Sequence, residues 1–460
     1  MSHSPLSSEL HRHLSAILGE SGIHSDDSGA VPSLVLKPAN TEQVAAILKA
    51  CNEAGQALIP IGGRTGLAGA LLPLGDELGL SLERMNAIEE VDTLNRTITV
   101  QAGCILQVAA EAAEQHGLLL PLDLGARGSA TIGGNVATNA GGNRVIRYGM
   151  MRDMVLGMEV VMADGTVLST LNKMIKNNAG YDLKQLFIGA EGTLGVITKV
   201  VLRLRPKPVS QNTALLAVQD FQSVLKVLHQ LDAKSAGTLS AFEVMWPSFY
   251  EHITRAGGNH RPPLPHGSQY YVLVETLGAD QEQDKQVFEE NLYPVLEQGI
   301  ATDAVIAQSQ AERNAIWEIR DDVFELFGLG PCAIFDISVT VDKIEAFVDA
   351  VHESVADLPD PICVVFGHLG DCNLHVMAGT KDINAFDKAK IEQGIYEVVR
   401  RMGGSVSAEH GVGIEKKPYL DCTRSDVEIA LMKHLKHSLD PNNILNPHKI
   451  ISIATPAEKV

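Results

Sequence analysis

Two histidines and a glutamate in the second half of the chain are spaced so that they could hold a metal ion. His368 and His375 lie seven residues apart in FGHLGDCNLH (366–375), and Glu409 follows in SAEHGVG (407–413). Two imidazoles and one carboxylate form a three-ligand set with open positions, which a catalytic divalent ion requires. Because the chain contains 16 histidines, the spacing alone leaves structural histidines open as an alternative.

A glycine-rich segment at 121–149, PLDLGARGSATIGGNVATNAGGNRVIRYG, could bind a long polar ligand. It contains seven glycines among short amides and hydroxyls, and almost no charge before Arg144. Glycine lets backbone N–H groups approach a ligand closely, and short polar side chains add donors without bulk. The segment therefore favours a ligand with phosphates and a flat ring system, bound mainly by backbone groups. A flexible linker is the alternative, but apolar residues recur through the segment at regular spacing.

Two shorter segments have the same character, PIGGRTGLAG (60–69) and FIGAEGTLGVIT (187–198). Neither matches the G-x-G-x-x-G fingerprint of a dinucleotide-binding helix, and the first lacks the Lys-Ser/Thr that ends a P-loop. Each alone is typical of a strand-to-turn connection. Together they indicate a cofactor site of a different design.

Composition limits the possible functions. A chain of 460 residues that is 45% hydrophobic can bury large cores and form two or three domains. The net charge of −19 argues against nucleic acid and anionic membranes as partners. No run of eighteen apolar residues predicts a membrane-spanning helix, and the N-terminus lacks a signal-peptide profile. Six scattered cysteines without a C-x-x-C pair favour a reducing cytoplasm and argue against an iron–sulfur module.

The N-terminal half predicts alternating strands and helices. A strand at 34–36 precedes a helix that Thr41 caps and Gly55 stops, and a strand at 58–61 completes a βαβ unit. A second such unit starts at 97–100 and crosses a helix near 106–116.

The pattern then changes along the chain. Residues 158–168 predict a hairpin, and 196–204 a last strand before Pro206 and Pro208, which mark a domain boundary. Longer strands and helices follow, and the tail from Ser425 predicts a helix and then DPNNILNP.

The three glycine segments and the two histidine motifs resemble the FAD-binding proteins of the vanillyl-alcohol oxidase superfamily. The resemblance runs from about Val35 to Ile451. It is closest to the branch of D-lactate dehydrogenases, the glycolate oxidase large subunit and D-2-hydroxyglutarate dehydrogenase. It implies an α+β fold with an FAD-binding domain of two α/β subdomains (1–208). A substrate and metal-binding α+β domain with an antiparallel sheet (209–420) follows, and then a C-terminal helical segment (421–460) that returns to the first domain.

By resemblance, the three glycine segments and the tail supply the flavin site. The expected cofactor-binding residues are Pro60, Gly62, Gly63, Arg64, Thr65, Gly66, Leu67, Pro121, Asp123, Gly128, Ser129, Ile132, Gly133, Gly134, Asn135, Thr138, Asn139, Gly141, Gly142, Tyr148, Gly149, Glu191, Gly192, Gly195, Ile197 and Asn446. Relatives with a covalent flavin often carry histidine in the first loop, where this chain has Arg64, so we expect noncovalent FAD.

The resemblance also assigns the chemistry. His368, His375 and Glu409 would hold zinc or manganese, His410 would be the general base and Arg320 would clamp the substrate carboxylate. A 2-hydroxy acid would lose a hydride to flavin N5 and leave as the 2-oxo acid. Structural alternatives are a hydrogen bond from His410 to Glu409 and a surface position for Arg320. Cys372 stands where the family usually has glycine.

Three positions bear on specificity. Phe324, Phe335 and Met377 stand where the D-2-hydroxyglutarate branch has threonine, lysine and asparagine. Burying a second carboxylate against apolar groups is costly, which predicts a hydrophobic or aromatic monocarboxylate such as D-lactate, 2-hydroxyisovalerate or mandelate. These positions are assigned by counting residues from Arg320 and His375, and part of the count crosses the segment from Phe327 to Pro331. A difference in loop length there would shift the assignment.

Three alternatives remain: a D-2-hydroxyglutarate dehydrogenase, a metal-free FAD alcohol or polyol oxidase, and an FAD electron-transfer subunit of a glycolate-oxidase-like complex. The D preference follows from the resemblance alone. The expected acceptor is a quinone, a cytochrome or an electron-transferring flavoprotein, and a homodimer is possible.

Overall fold

The computed structural model describes residues 7–453, which fold into two compact units. The first unit runs to Gly141, resumes over Met150–Lys207 and resumes again from Glu409. The second unit contains Gly142–Gly149 and Pro208–Ala408. This division differs from the prediction in two places: the return begins at Glu409 and not at residue 421, and 142–149 leaves the flavin unit.

Specific contacts explain both differences. In the first unit, the backbone amides of Val412 and Gly413 donate to the Glu191 carboxylate, which fixes the chain well before residue 421. In the second unit, Arg144 pairs with buried Glu275, and Arg147 Nη1 donates to the Leu277 carbonyl at 2.6 Å.

The secondary structure is as follows. The strands are β1 (Ile23–Ser25), β2 (Leu34–Leu36), β3 (Leu58–Ile61), β4 (Leu78–Ser81), β5 (Ile88–Asp92), β6 (Thr97–Gln101), β7 (Leu118–Leu119), β8 (Val155–Val161), β9 (Val167–Ser169), β10 (Val196–Arg203), β11 (Arg205–Pro206), β12 (Ser210–Val218), β13 (Leu239–Met245), β14 (Tyr270–Gly278), β15 (Asp303–Ile306), β16 (Cys332–Ser338), β17 (Pro361–His368) and β18 (Asn373–Thr380). The helices are α1 (Ser8–Leu18), α2 (Thr41–Ala54), α3 (Leu106–Glu114), α4 (Ile132–Thr138), α5 (Val145–Tyr148), α6 (Met151–Met154), α7 (Phe221–Ser235), α8 (Pro247–Ile253), α9 (Gln281–Glu297), α10 (Gln310–Asp321), α11 (Ile344–Val355), α12 (Lys388–Met402) and α13 (Asp426–Leu439).

The first unit contains a four-stranded sheet in the order β1-β2-β4-β3 and a five-stranded sheet in the order β5-β6-β10-β8-β9. Strands β2 and β3 both run parallel to β4, so the βαβ unit around α2 is confirmed with β4 between its strands. Asn40 caps α2 by accepting the Gln43 amide, so the cap is one residue before the predicted Thr41.

The second predicted βαβ unit is wrong. Strand β6 pairs antiparallel with β5 and with β10. Helix α3 leads to the short strand β7, which pairs with β11, so no parallel crossover forms. The predicted hairpin is confirmed, because β8 and β9 pair antiparallel.

The second unit is built on a seven-stranded antiparallel sheet in the order β15-β12-β14-β13-β17-β18-β16. One hydrophobic core joins α8 and α10 to this sheet, with Phe249 and Ile316 packed beside Phe366 and Met377. On β16, Phe335 packs edge-on against Tyr396 of α12, with ring centroids 5.3 Å apart. The sheet therefore has helices on both faces.

Within residues 7–453, no helix combines the length and apolarity needed to cross a bilayer.

Candidate active site

Strands β17 and β18 of the second unit bring the two predicted metal histidines together. His368 ends β17, His375 lies in β18, and a short 3-10 turn (Leu369–Asp371) joins them. Their Nε2 atoms are 3.4 Å apart. Two nitrogens bound to one tetrahedral ion at about 2.0–2.1 Å would be separated by roughly 3.3–3.4 Å. The pair therefore fits two ligands of one divalent ion.

Cys372 follows the turn in a left-handed conformation, with φ of 70°. Glycine adopts this conformation without strain, whereas residues with a side chain rarely do. Burial raises the pKa of the Cys372 thiol, so the group is mainly protonated near neutrality.

A residue that the sequence reasoning missed, Glu243 on β13, organises the histidine and the predicted substrate arginine. Its Oε1 lies 2.7 Å from His368 Nδ1, and its Oε2 accepts Arg320 Nε at 2.8 Å. Burial alone would raise the pKa of Glu243, but the charges of His368 and Arg320 and their hydrogen bonds hold it below its usual range. The only sequence signal was a glutamate within the apolar strand LSAFEVM (239–245).

Arg320 lies at the end of α10 and is buried, contrary to the surface alternative. Its guanidinium is 4.9 Å from the centre of the Phe366 ring, and Nη2 is 3.3 Å from His368 Nε2. A charged, planar donor beside two imidazoles can receive a carboxylate.

The register between β16 and β18 decides which of the predicted specificity residues lie on the same face of the sheet as His375. Asp336 lies opposite His375, and Ile334 lies opposite Met377. Directly opposed residues share a face of the sheet and successive residues alternate, so Phe335 points away from His375. The structure therefore contradicts Phe335 as a pocket residue and places Ile334 on that face.

The other two specificity residues differ in environment. Met377 shares the face of His375 but is packed in the core beside Phe366. Phe324 is 76% exposed, on a 3-10 segment (Val323–Leu329) after Arg320.

The first unit contains a cavity of about 360 Å³ formed by the glycine segments. The predicted cofactor residues that line it are Pro60, Gly62, Gly63, Arg64, Thr65, Gly66, Leu67, Gly133, Gly134, Asn135, Thr138, Gly141, Glu191, Gly192, Gly195, Ile197 and Asn446. Glu409 and His410, which the sequence assigned to metal and base, also line it. Other lining residues, among them Ala102, Thr131 and Val196, were not among the predicted cofactor residues.

The remaining predicted cofactor residues are not among the lining residues. These are Pro121, Asp123, Gly128, Ser129, Ile132, Asn139, Gly142, Tyr148 and Gly149. Ile132 is fully buried in the core, and Asn139 ends α4 in a left-handed conformation while its Oδ1 accepts the Arg152 amide. Gly142, Tyr148 and Gly149 belong to the second unit.

Two of the residues that line the cavity carry polar atoms with which a ligand could form hydrogen bonds. Asn135 Nδ2 and Asn446 Oδ1 are buried and have no hydrogen-bond partner in the described structure. A buried donor or acceptor without a partner is costly, so such atoms mark a place for a polar ligand. A Cβ added at Gly66 would meet nothing within 4 Å, so this glycine keeps cavity space open. Both observations fit a bound dinucleotide such as FAD.

Two charged residues at the cavity have structural partners. Arg64 Nη1 pairs with Asp26 Oδ2 at 2.9 Å. Glu191 accepts the Val412 and Gly413 amides at 2.6 and 2.8 Å. A Cβ at Gly411 would lie 2.7 Å from Glu191 Oε1, so the glycine after Glu409 and His410 permits this close approach. Glu191 therefore holds the backbone just beyond His410.

Sequence comparison supplies independent information. Residues 32–171 match a family described as "FAD binding domain", and residues 207–450 match "FAD linked oxidases, C-terminal domain". A probable mitochondrial D-2-hydroxyglutarate dehydrogenase of Oryza sativa subsp. indica is 38% identical over 98% of this chain and 83% of its own length. The D-2-hydroxyglutarate dehydrogenase of Stutzerimonas stutzeri is 39% identical over 92% of this chain and 91% of its own. A putative mitochondrial D-lactate dehydrogenase of Schizosaccharomyces pombe is 39% identical over 91% and 81%.

Two solved structures share the fold. p-Cresol methylhydroxylase superposes with a TM-score of 0.77 at 17% identity and covers 98% of both chains. 4-Ethylphenol oxidase from Gulosibacter chungangensis gives 0.75 at 18% identity, over 98% of this chain and 99% of its own.

Proposed function

The chain belongs to the family of FAD-linked oxidases, and on that premise we propose that it oxidises a D-2-hydroxy acid to the 2-oxo acid. The predicted fold class and family are thereby confirmed. One observation supports this reaction type. Arg320, which can bind a carboxylate, lies beside His368 and His375, whose imidazole nitrogens can bind a metal ion. A 2-hydroxy acid offers the matching groups, a carboxylate next to a hydroxyl.

The residues divide the work. The cavity lined by Gly66, Asn135 and Asn446 would hold FAD, which supplies hydride acceptance at N5. Arg320 would orient the substrate by its C1 carboxylate. His410 would take the hydroxyl proton as the general base, a role that histidine fills more often than any other side chain.

His368 and His375, with Glu409 as the third ligand that the sequence predicts, would hold zinc or manganese. Such an ion would supply a positive charge that lowers the pKa of the substrate hydroxyl. The Glu243 carboxylate supports this role, because it accepts from His368 Nδ1 and leaves the lone pair of the neutral ring at Nε2.

D-2-hydroxyglutarate is the substrate that the relatives support, since two of the three described above are named for it. A second candidate is a hydrophobic D-2-hydroxy monocarboxylate. The facing pair of Ile334 and Met377 supports it, because these side chains share the face of His375 and offer no partner for a second carboxylate.

The test is a screen of D- and L-2-hydroxy acids against the purified protein with a dye acceptor. We expect turnover of D-2-hydroxy acids by the lone chain. Turnover of primary alcohols or polyols only, unchanged after metal removal, would instead support the metal-free oxidase. A flavin-loaded protein that oxidises nothing alone would support the electron-transfer subunit.

The rank order within the screen separates the two substrate candidates. A buried unpaired carboxylate costs at least a few kcal/mol, so kcat/KM for the unsuitable class should be lower by roughly a hundredfold or more. The compounds to compare are D-2-hydroxyglutarate, D-lactate, D-2-hydroxyisovalerate and D-mandelate. Noncovalent FAD, the electron acceptor, a homodimer and the cytoplasmic location stay predictions.

A further inference from the structure

Glu243 is a buried carboxylate on the face of the sheet that carries His368 and His375, at 1% exposure. Each of its oxygens has a different partner, His368 Nδ1 for Oε1 and Arg320 Nε for Oε2. One carboxylate thus contacts both a predicted metal ligand and the predicted substrate receptor.

The two partners reach Glu243 from different elements. His368 lies directly opposite Glu243 in the pairing of β13 with β17, so sheet register sets that contact. Arg320 comes from α10, which is anchored by Ile316 and Ile319 in the core. The carboxylate therefore ties the helix to the sheet at the site.

We propose that Glu243 is a positioning residue that sets both the orientation of Arg320 and the ring orientation of His368. This inference rests on the proposed function. Glu243 engages Arg320 Nε, and Nη2 lies 3.3 Å from His368 Nε2, so the guanidinium is held with Nη1 as the donor for a substrate carboxylate. With Nδ1 engaged, the neutral His368 ring keeps its lone pair on Nε2 beside His375.

The neighbouring strand supplies a matched control. Glu275 lies two residues beyond Leu273, which is opposite Glu243, so the two carboxylates share a face of the sheet. Glu275 is also fully buried and also paired with an arginine, Arg144. Its other contacts are to Gln211, Thr213 and Trp317. It has the burial and ion pairing of Glu243 but contacts a different set of residues.

The experiment compares Glu243→Gln, Glu243→Asp and Glu275→Gln in FAD-loaded protein from which metal has been removed. Calorimetric titration with Mn²⁺ measures metal affinity, and steady-state kinetics with the best hydroxy acid measure KM and kcat. Loss of a carboxylate that orients a ligand typically weakens metal binding about 10–100-fold.

For Glu243→Gln we expect this loss of Mn²⁺ affinity, a higher KM, a lower kcat and unchanged FAD content. Glu243→Asp retains the charge but is one methylene shorter, so we expect an intermediate Mn²⁺ affinity. Glu275→Gln should lower Tm while leaving the Mn²⁺ Kd within about twofold of wild type, because it removes a buried ion pair away from the metal ligands.

Glu243→Gln with wild-type Mn²⁺ affinity and KM would overturn the proposal. So would a crystal structure of that variant in which Arg320 and His368 keep their positions. If wild type binds no Mn²⁺, the proposed metal site is refuted. The crystal structure of Glu243→Gln then still tests whether Glu243 positions Arg320 and His368. If no hydroxy acid is oxidised, the proposed reaction is refuted. The Mn²⁺ titration then still tests whether Glu243 orients His368. Should Glu243→Gln fail to fold, both measurements are made on Glu243→Asp.

Discussion

Ile334 lies directly opposite Met377 across strands β16 and β18, on the face of the sheet that carries His375. Ile334 is 43% exposed, whereas its neighbour Phe335 is fully buried against Tyr396 on the other face. An assignment that is wrong by one residue therefore selects the core residue Phe335 in place of Ile334, the candidate pocket residue.

This relationship predicts opposite outcomes for two neighbouring substitutions. Ile334→Ala should change the ranking of 2-hydroxy acids by kcat/KM with a small effect on stability. Phe335→Ala should leave the ranking unchanged but lower the free energy of unfolding by about 3–5 kcal/mol, because it opens a cavity in the core. Substrate profiles and denaturant unfolding of both variants check this, and a ranking altered only by Phe335→Ala would contradict the assignment.

Removing the second metal histidine should separate metal from flavin. His375→Ala should reduce kcat/KM by at least about 100-fold, because a bound ion contributes several kcal/mol of charge stabilisation. FAD content should stay at the wild-type level, since the cavity residues lie in the first unit. His352→Ala, an exposed histidine on α11, is the control and should behave as wild type. Full activity of His375→Ala, or of metal-free protein, argues against the metal.

Filling the cavity should displace the flavin without unfolding the protein. Gly66→Val adds a side chain where a Cβ meets nothing within 4 Å, so the folded chain should tolerate it. The valine would occupy space meant for the cofactor, and we expect little bound FAD at near wild-type Tm for the apoprotein. A control is Gly394→Val, whose Cβ also has room but lies on α12. Absorbance near 450 nm of the purified proteins gives the flavin content, and a Gly66→Val protein with full yellow colour would refute this cavity as the site.

Lys436 on α13 is one of the buried lysines that link the tail to the rest of the first unit. Lys436 Nζ donates to the carbonyls of Thr193 and Leu445 at 2.8 and 2.7 Å and pairs with Asp440 at 2.5 Å. Lys436→Ala removes the cationic partner of buried Asp440, which then keeps only the backbone amides of Ile444 and Leu445, and this should cost about 3–5 kcal/mol of unfolding free energy. The exposed Lys433→Ala should change it by less than about 0.5 kcal/mol. Urea unfolding measures both, and equal stabilities would show that the Lys436 contacts contribute little.

Local features of the sequence were sufficient for much of the fold and part of the site. The stripe of Val44, Ile47, Leu48 and Cys51 predicts α2, and all four are buried. Glycine segments that bind through the backbone leave a visible composition, and together with the family resemblance they predict more than half of the residues that line the cavity. The family resemblance of the histidine motifs predicts that His368 and His375 hold one ion, and a short turn between adjacent strands brings their Nε2 atoms to 3.4 Å.

What only the tertiary structure decided depends on pairing between distant segments. Glu243 meets His368 across 125 positions of sequence, and a lone glutamate in an apolar strand carries no local sign of that partner. The choice of Phe335 in place of Ile334 as a pocket residue also failed because it depends on pairing between distant segments. Side chains alternate with a period of two, so the face that a residue occupies depends on strand register, and register is set by packing across the whole sheet.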